Sequence, residues 1–202
     1  MISKAEKAAD SVLERIKIPV GNKTFIIVID GRCASGKTTL TEALMKKTGC
    51  NVIHADHFFL RKEQRTRQRL EQAGGNIDYE RIRDEVLVPL KREGTCSYRK
   101  FDCKSMSLCD EVITVGFNAL TVVEGSYSCH PDLWEYYDFR VFLSVVQGEQ
   151  LERIKKRNGD EAALVFQKRW IPLEEKYFDA YRISERCDLT VDTSSDIFDN
   201  NI

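Results

Sequence analysis

The sequence predicts an α/β fold in which a parallel sheet carries helices on both faces, with a small β-hairpin and a helical lid added. Three observations lead there. Phe25 to Ile29 is a run of five apolar residues without polar alternation, which reads as a parallel strand buried on both faces. The residues that follow, Gly31, Gly36, Lys37 and Thr38, fit G-x-x-x-x-G-K-[ST], the phosphate-binding loop of the P-loop NTPase fold. Strand-like and helix-like stretches then alternate to the last segments, with no internal repeat and no low-complexity tract.

The loop spacing has a physical cause. Two glycines let the backbone wrap so that successive N–H groups point at phosphate oxygens, and a helix starting at Lys37 adds the positive end of its dipole. A triphosphate is therefore expected over Gly31, Arg32, Cys33, Ala34, Ser35, Gly36, Lys37, Thr38 and Thr39, with Lys37 on the outer phosphates and Thr38 on Mg²⁺.

The elements follow in order. Ala5 to Ile18 places Ala8, Val12, Leu13 and Ile16 at helical spacing, with Pro19 and Gly21-Asn22 ending the helix. After the first strand, the loop helix runs to about Lys47 and stops at Gly49. A short strand, Asn51 to Ala55, delivers Asp56, His57, Phe58 and Phe59 to its carboxyl end, where open α/β sheets bind ligands. Arg61 to Arg69 is a basic run, either a solvated helix face or a source of one or two arginines for an anionic group. Asp78 to Leu90 is a helix with Asp78 at its N-cap and breakers from Pro89 to Gly94.

Ser97 to Cys103 and Asp110 to Val115 read as a hairpin, and Ala119 to Val123 as a buried strand ending in Glu124. An acid at the end of such a strand is held opposite the phosphate loop, where a carboxylate near Mg²⁺ is needed. Pro131 to Tyr137 is a short helix and Phe139 to Val145 a core strand. Gln147 to Asn158 is a cationic helix ending at Gly159, and a further helix over Asp160 to Tyr181 is interrupted near Pro172. Leu189 to Asp192 supplies the last strand, before a tail expected to fray from Thr193.

A length of 202 residues suits one domain, residues 1–202, with a lid at about 147–176. The net charge of −1 gives no general reason to bind a polyanion or an acidic membrane surface, so nucleic acid is disfavoured as a partner and a homo-oligomer is left open. Seven cysteines without a C-x-x-C pair fit a reducing compartment. The charged N-terminal stretch and the lack of a membrane-length apolar run predict a soluble, cytoplasmic protein. Cys33 lies inside the loop, where its amide matters more than its thiol, with oxidative inactivation as the lesser reading. His54, His57 and His130 have no metal-ligand spacing.

Five segments, DGRCASGKTTL (Asp30 to Leu40), HADHFF (His54 to Phe59), NIDYERIRDEVLVPL (Asn76 to Leu90), YRKFDC (Tyr98 to Cys103) and VVEGSY (Val122 to Tyr127), with the lid-like RIKKRNG (Arg153 to Gly159), carry a resemblance. From about Phe25 to Tyr181 the chain resembles the uridine kinase and phosphoribulokinase-like branch of the phosphate-loop kinases. The resemblance implies Asp56 as general base for an acceptor hydroxyl, Glu124 as an acid near Mg²⁺, and Arg153 and Arg157 as lid residues on the triphosphate. It also implies Asp78, Phe101 and Tyr127 on the acceptor side. Helix capping is the alternative for Asp56 and Asp78, a salt bridge for Glu124, and a solvated face for each arginine. Tyr79-Glu80-Arg81 stands where the branch usually has a Pro-Asp pair, and Lys104-Ser105 where it often has a histidine.

The function expected is transfer of the γ-phosphate of ATP, or GTP, to a small-molecule alcohol, a nucleoside first, with a sugar or pantothenate-like alcohol as other acceptors. The competing class is a nucleotide-dependent regulatory switch. A guanine-type N-K-x-D segment after the loop and an L-S-G-G-Q segment are both missing from the sequence, which disfavours GTPase and transporter readings.

Overall fold

The computed structural model describes residues 3–21 and 23–194. Its centre is a five-stranded, all-parallel sheet in the order β2-β5-β1-β6-β7. These strands are β1 (Phe25–Gly31), β2 (Asn51–His54), β5 (Leu120–Glu124), β6 (Phe139–Ser144) and β7 (Leu189–Asp192). β1 lies between β5 and β6, in register from Phe25↔Leu120 to Ile29↔Glu124 on one side and from Ile27↔Phe139 to Gly31↔Leu143 on the other.

The unbroken apolar run is explained by the pleat. Ile27 and Ile29 face a core closed by α1 (Lys4–Leu13) and α2 (Lys37–Thr48), while Ile26 and Val28 face a second core closed mainly by helices from later in the chain. A strand with two buried faces has no position for a polar residue until its end, where Asp30 is reached.

Gly31 is required for a reason the motif alone does not give. Its φ is +140°, and a Cβ there would lie 2.1 Å from the carbonyl oxygen of Leu143 on β6. Gly31→Ala is therefore expected to cost about 3 kcal/mol or more, from strained φ plus a backbone clash, read as a fall in urea midpoint. An unchanged midpoint would show that β6 yields.

α1 is capped by a reciprocal Ser3–Glu6 box and ends at Leu13, earlier than the spacing suggested, although Ile16 still packs on the core. Asn22 lies outside the described residues. After β2 come α3 (Arg67–Glu71) and a helix α4 over 79–93. Both α4 and the later α6 (160–181) run on past a proline: Pro89, where the helix was expected to end between Pro89 and Gly94, and Pro172, near which an interruption was expected. Each does so behind a π turn, Ile82–Leu87 before Pro89 and Phe166–Trp170 before Pro172. The wider turn relieves the clash of the ring with the carbonyl four residues back.

β3 (Cys96–Asp102) and β4 (Ser107–Val115) form a separate antiparallel hairpin, as expected, with β4 beginning three residues early. α5 (Gln147–Asn158) matches its expected bounds and meets α6 at Gly159, whose φ is +85°. α7 (Ile183–Arg186) leads to β7.

The expected fraying from Thr193 is not what the described end shows. The Thr193 amide donates to Ser144 O at 3.0 Å, its hydroxyl to Ser35 O at 2.9 Å, and the Val146 amide to the Ser194 hydroxyl at 2.8 Å. These bonds tie the chain beside the phosphate loop. Residues 195–202 lie outside the described residues.

Candidate active site

One cavity of about 780 Å³ opens at the carboxyl end of the sheet, large enough for a nucleotide-sized ligand. Five groups of residues line it. The loop contributes Cys33, Ala34, Gly36, Lys37, Thr38 and Thr39; the end of β2 and its following segment contribute Asp56, Phe59, Arg65 and Asn76. The hairpin turn supplies Cys103 and Met106, and the end of β5 supplies Glu124 to Tyr127. α5 and α6 add Arg153, Arg157, Phe166, Trp170 and Glu174. Three non-glycine residues of the lining, Ala34, Met106 and Tyr127, have φ of 59°, 56° and 71°, so unusual backbone is concentrated here.

The loop is built from β1 upward. Arg32 N–H donates to Leu143 O, and Gly36, with φ +94°, opens α2. The Lys37 ammonium curls back onto Gly31 O at 2.7 Å and Arg32 O at 2.9 Å, and reaches the Ser126 hydroxyl at 3.3 Å. Three of the nine expected loop residues do not line the cavity. Gly31 is packed under β6, Arg32 forms a bidentate pair with Glu175 on α6, and Ser35 is fully buried.

Cys33 lines the cavity, but its amide already donates to the buried Glu174 carboxylate at 3.0 Å. Burial first, and then the Glu174 charge, push its thiol up to about 12. That disfavours the thiolate near neutral pH, and with it the oxidation weighed as the lesser reading of Cys33.

Asp56 stands in a 3₁₀ turn, Ala55–Phe58, at the end of β2. It is open to the cavity and enclosed by protein elsewhere, and this desolvation, followed by the like charge of Glu124, holds its pKa above the usual range. Lys37, His54 and Arg157 act on it in the opposite sense. Glu124, from the neighbouring strand, is 6% exposed and accepts a 2.6 Å contact from His54 Nδ1. That hydrogen bond raises the His54 pKa. The salt-bridge alternative for Glu124 and its place in the cavity thus hold together.

Thr38, Asp56 and Glu124 form a set of hard oxygen donors with excess negative charge, which suits Mg²⁺. Among the described residues no cluster of three His, Cys, Asp or Glu is placed to hold a metal ion.

The remaining expected residues separate. Tyr127 lines the cavity. Asp78 is fully buried and caps α4 by accepting from the Arg81 amide at 3.2 Å, and Phe101 is buried in the hairpin at 5% exposure; neither lines the cavity. Arg153 is committed to Ala34 O, Glu149 and Thr193, holding α5 against the loop and the chain end. Arg157 is exposed, hydrogen-bonded to the neighbouring Asn158, set 6.0 Å from the centre of the Phe166 ring, and faces the cavity. Arg169 lies over Trp170 and does not line the cavity.

Two residues that sequence reasoning passed over hold the site together. Asp30 is fully buried and accepts from the amides of Gly31, Tyr127 and Cys129 at 2.7, 3.2 and 2.9 Å and from the Tyr177 hydroxyl at 2.8 Å. Glu174 accepts from the Ser126 hydroxyl at 2.6 Å as well as from Cys33 N–H. Asp30 was legible as a charge ending an apolar run. Glu174 was legible as an acid on the core face of α6, three residues after Ile171 and four before Phe178.

No protein-family model matches the sequence, and no curated protein sequence matches it. Solved structures do match in fold. A protein described as a possible uridine kinase from Bacillus stearothermophilus superposes with TM-score 0.68 at 17% identity, covering 93% of this chain and 97% of that one. A candidate fructose transport system kinase from Silicibacter sp. TM1040 gives 0.71 at 22% identity, over 94% and 99%. The D-glycerate 3-kinase of Cryptococcus neoformans var. grubii gives 0.62 at 15%, over 95% and 96%. The likeness is one of fold: a parallel P-loop sheet between helices, with the added hairpin. Among the described residues no helix is long and apolar enough to cross a membrane.

Proposed function

We propose that this chain is an ATP-dependent kinase of the uridine kinase and phosphoribulokinase-like branch, moving the γ-phosphate of ATP to a small-molecule alcohol. The observation that carries the reading is that Asp56 shares one cavity with Lys37, Thr38 and Glu124. The named kinases that share the fold support it.

In this reading the loop amides from Ala34 to Thr39 and the Lys37 ammonium hold the triphosphate. Thr38 and Glu124 would hold Mg²⁺, which when bound screens the phosphate charge. Asp56 accepts the hydrogen bond of the acceptor hydroxyl and aims its oxygen at the γ-phosphorus. An O–P bond forms there, the bond to the β–γ bridging oxygen breaks, ADP leaves, and the hydroxyl proton passes to Asp56 and then to solvent.

Residues 147–176 act as a lid packed on the loop through Ile154, Ala163 and Ile171 against Cys33, with Gly159 at the bend. A nucleoside was the first expectation for the acceptor. It leaned on Asp78 and Phe101, and with both turned into the fold the nucleoside has no support from those contacts.

The two lid arginines are assigned different duties. Arg157→Met is expected to lower kcat by about 10³-fold or more, since a guanidinium on the migrating phosphoryl group is worth on this order, with little change in melting temperature. Arg153→Met is expected to lower the melting temperature instead. Equal loss of kcat and of stability in both variants would contradict the division. The function itself is tested by ADP release against a panel of nucleosides, sugars, hydroxy acids and vitamin alcohols. Stimulation by at least one compound supports it, and a slow rate that none accelerates overturns it.

A further inference from the structure

The wall of the cavity formed by the hairpin turn and by the segment after β2 carries a charge that the proposed chemistry does not use. Four arginines lie between residues 61 and 69, and three are engaged within the protein. Arg61 is taken by Glu63 and Gln64, Arg67 by Glu71, and Arg69 by Glu80, Tyr79 and the carbonyls of Gly75 and Ile77. Arg65 differs. It is half-buried, it lines the cavity, and among the described residues its guanidinium has no hydrogen-bond or ion-pair partner.

The position of Arg65 relative to Asp56 is marked by Cys103 at the hairpin tip. Burial raises that thiol, Asp56 raises it further and Arg65 opposes the rise, so the carboxylate and the guanidinium both lie within electrostatic reach of one side chain. Phe59, Asn76 and Met106 complete this wall. Among the described residues no carboxylate forms an ion pair with the arginine there. A forked donor left open on a concave, partly desolvated wall matches one ligand chemistry in particular, a planar carboxylate or a phosphate bound through two N–H groups.

We infer that the acceptor is an anionic alcohol, its hydroxyl at Asp56 and its carboxylate or phosphate on Arg65. This rests on the kinase reading given above and narrows its substrate class. A neutral nucleoside or sugar leaves Arg65 without a partner in the closed complex. An alcohol bearing an anion a few bonds from its hydroxyl satisfies both walls at once.

The test is ADP release with matched acceptors in three arms, namely hydroxy acids, sugar phosphates, and neutral sugars with nucleosides. The best compound is then repeated on Arg65→Met and Arg65→Lys. An anionic arm is expected to give the highest kcat/KM, and which of the two wins identifies the anion as carboxylate or phosphate. Arg65→Met is expected to raise the acceptor KM by about 10–100-fold, the worth of a hydrogen-bonded charge pair, with Arg65→Lys recovering part of it. The melting temperature should not move, because this side chain holds nothing else among the described residues. A neutral compound as best acceptor, with an acceptor KM untouched by Arg65→Met, overturns the inference and leaves the kinase reading standing. So does an effect of Arg65→Met on the KM for ATP in place of the acceptor. ADP release that no arm stimulates removes the kinase reading itself, a result distinct from the other two.

Discussion

Asp56→Asn is expected to lower kcat by about 10²–10⁴-fold, the usual contribution of a positioned general base, while ATP binding is retained. The asparagine fills the same space beside the loop but cannot take the hydroxyl proton or hold a negative charge beside Glu124. Stopped-flow ADP release gives kcat, and calorimetric titration with ATP gives binding. The pairing of the two matters. A loss of ATP affinity matching the loss of rate would place Asp56 in nucleotide binding, and an unchanged kcat would return it to capping the turn in which it stands.

The second large effect falls on stability. Asp30→Ala removes the acceptor of three backbone amides and one tyrosine hydroxyl, all in the interior. Leaving several buried donors unsatisfied costs on the order of 4 kcal/mol or more, a large part of the 5–15 kcal/mol or so that holds a domain together. The damage would be local as well as global. Asp30 fastens the end of β1 to the loop after β5 and to α6, so it fixes Ser126 and Tyr127 relative to the phosphate loop.

Asp30 also gives a pH dependence with a definite sign. Burial outweighs its hydrogen bonds and raises its pKa from 3.8 to about 6. A group raised on folding contributes stability that is complete below its unfolded pKa and is lost as pH rises through the folded one. Relative to Asp30→Asn, which does not titrate, the native protein is therefore expected to gain unfolding free energy as pH falls from 7 toward 4. Urea unfolding of both proteins across that range measures it. A difference that stays constant, or that runs the other way, would contradict the burial of an ionisable carboxylate there.

Much of the fold could be read because the strongest signals were local. Five apolar residues before a glycine loop, an acid closing a buried strand, and glycines ending helices at 49 and 94 require no knowledge of distant contacts. What a local rule left open is how each helix passes its proline. Pro89 and Pro172 are breakers in isolation, yet each is accommodated by a π turn that the packing of α4 and α6 holds in place.

The site shows the same division. Lys37, Thr38, Asp56 and Glu124 could be placed at one cavity because they sit at loop and strand ends. Asp78 and Phe101 were placed by resemblance, and their positions depend on how α4 and the hairpin pack. The basic run at 61–69 could be recognised as charge, but nothing in the order of residues separates Arg65, turned to the cavity, from Arg69, consumed by Glu80 and two carbonyls. That distinction is made by the fold.

The most direct test follows the γ-phosphate. With the terminal phosphate of ATP labelled and the alcohol panel supplied in excess, the label is expected to appear as a phosphate ester of an acceptor, and far more slowly with Asp56→Asn. Label released only as inorganic phosphate, at one rate whatever alcohol is present, would contradict phosphoryl transfer between the loop and Asp56.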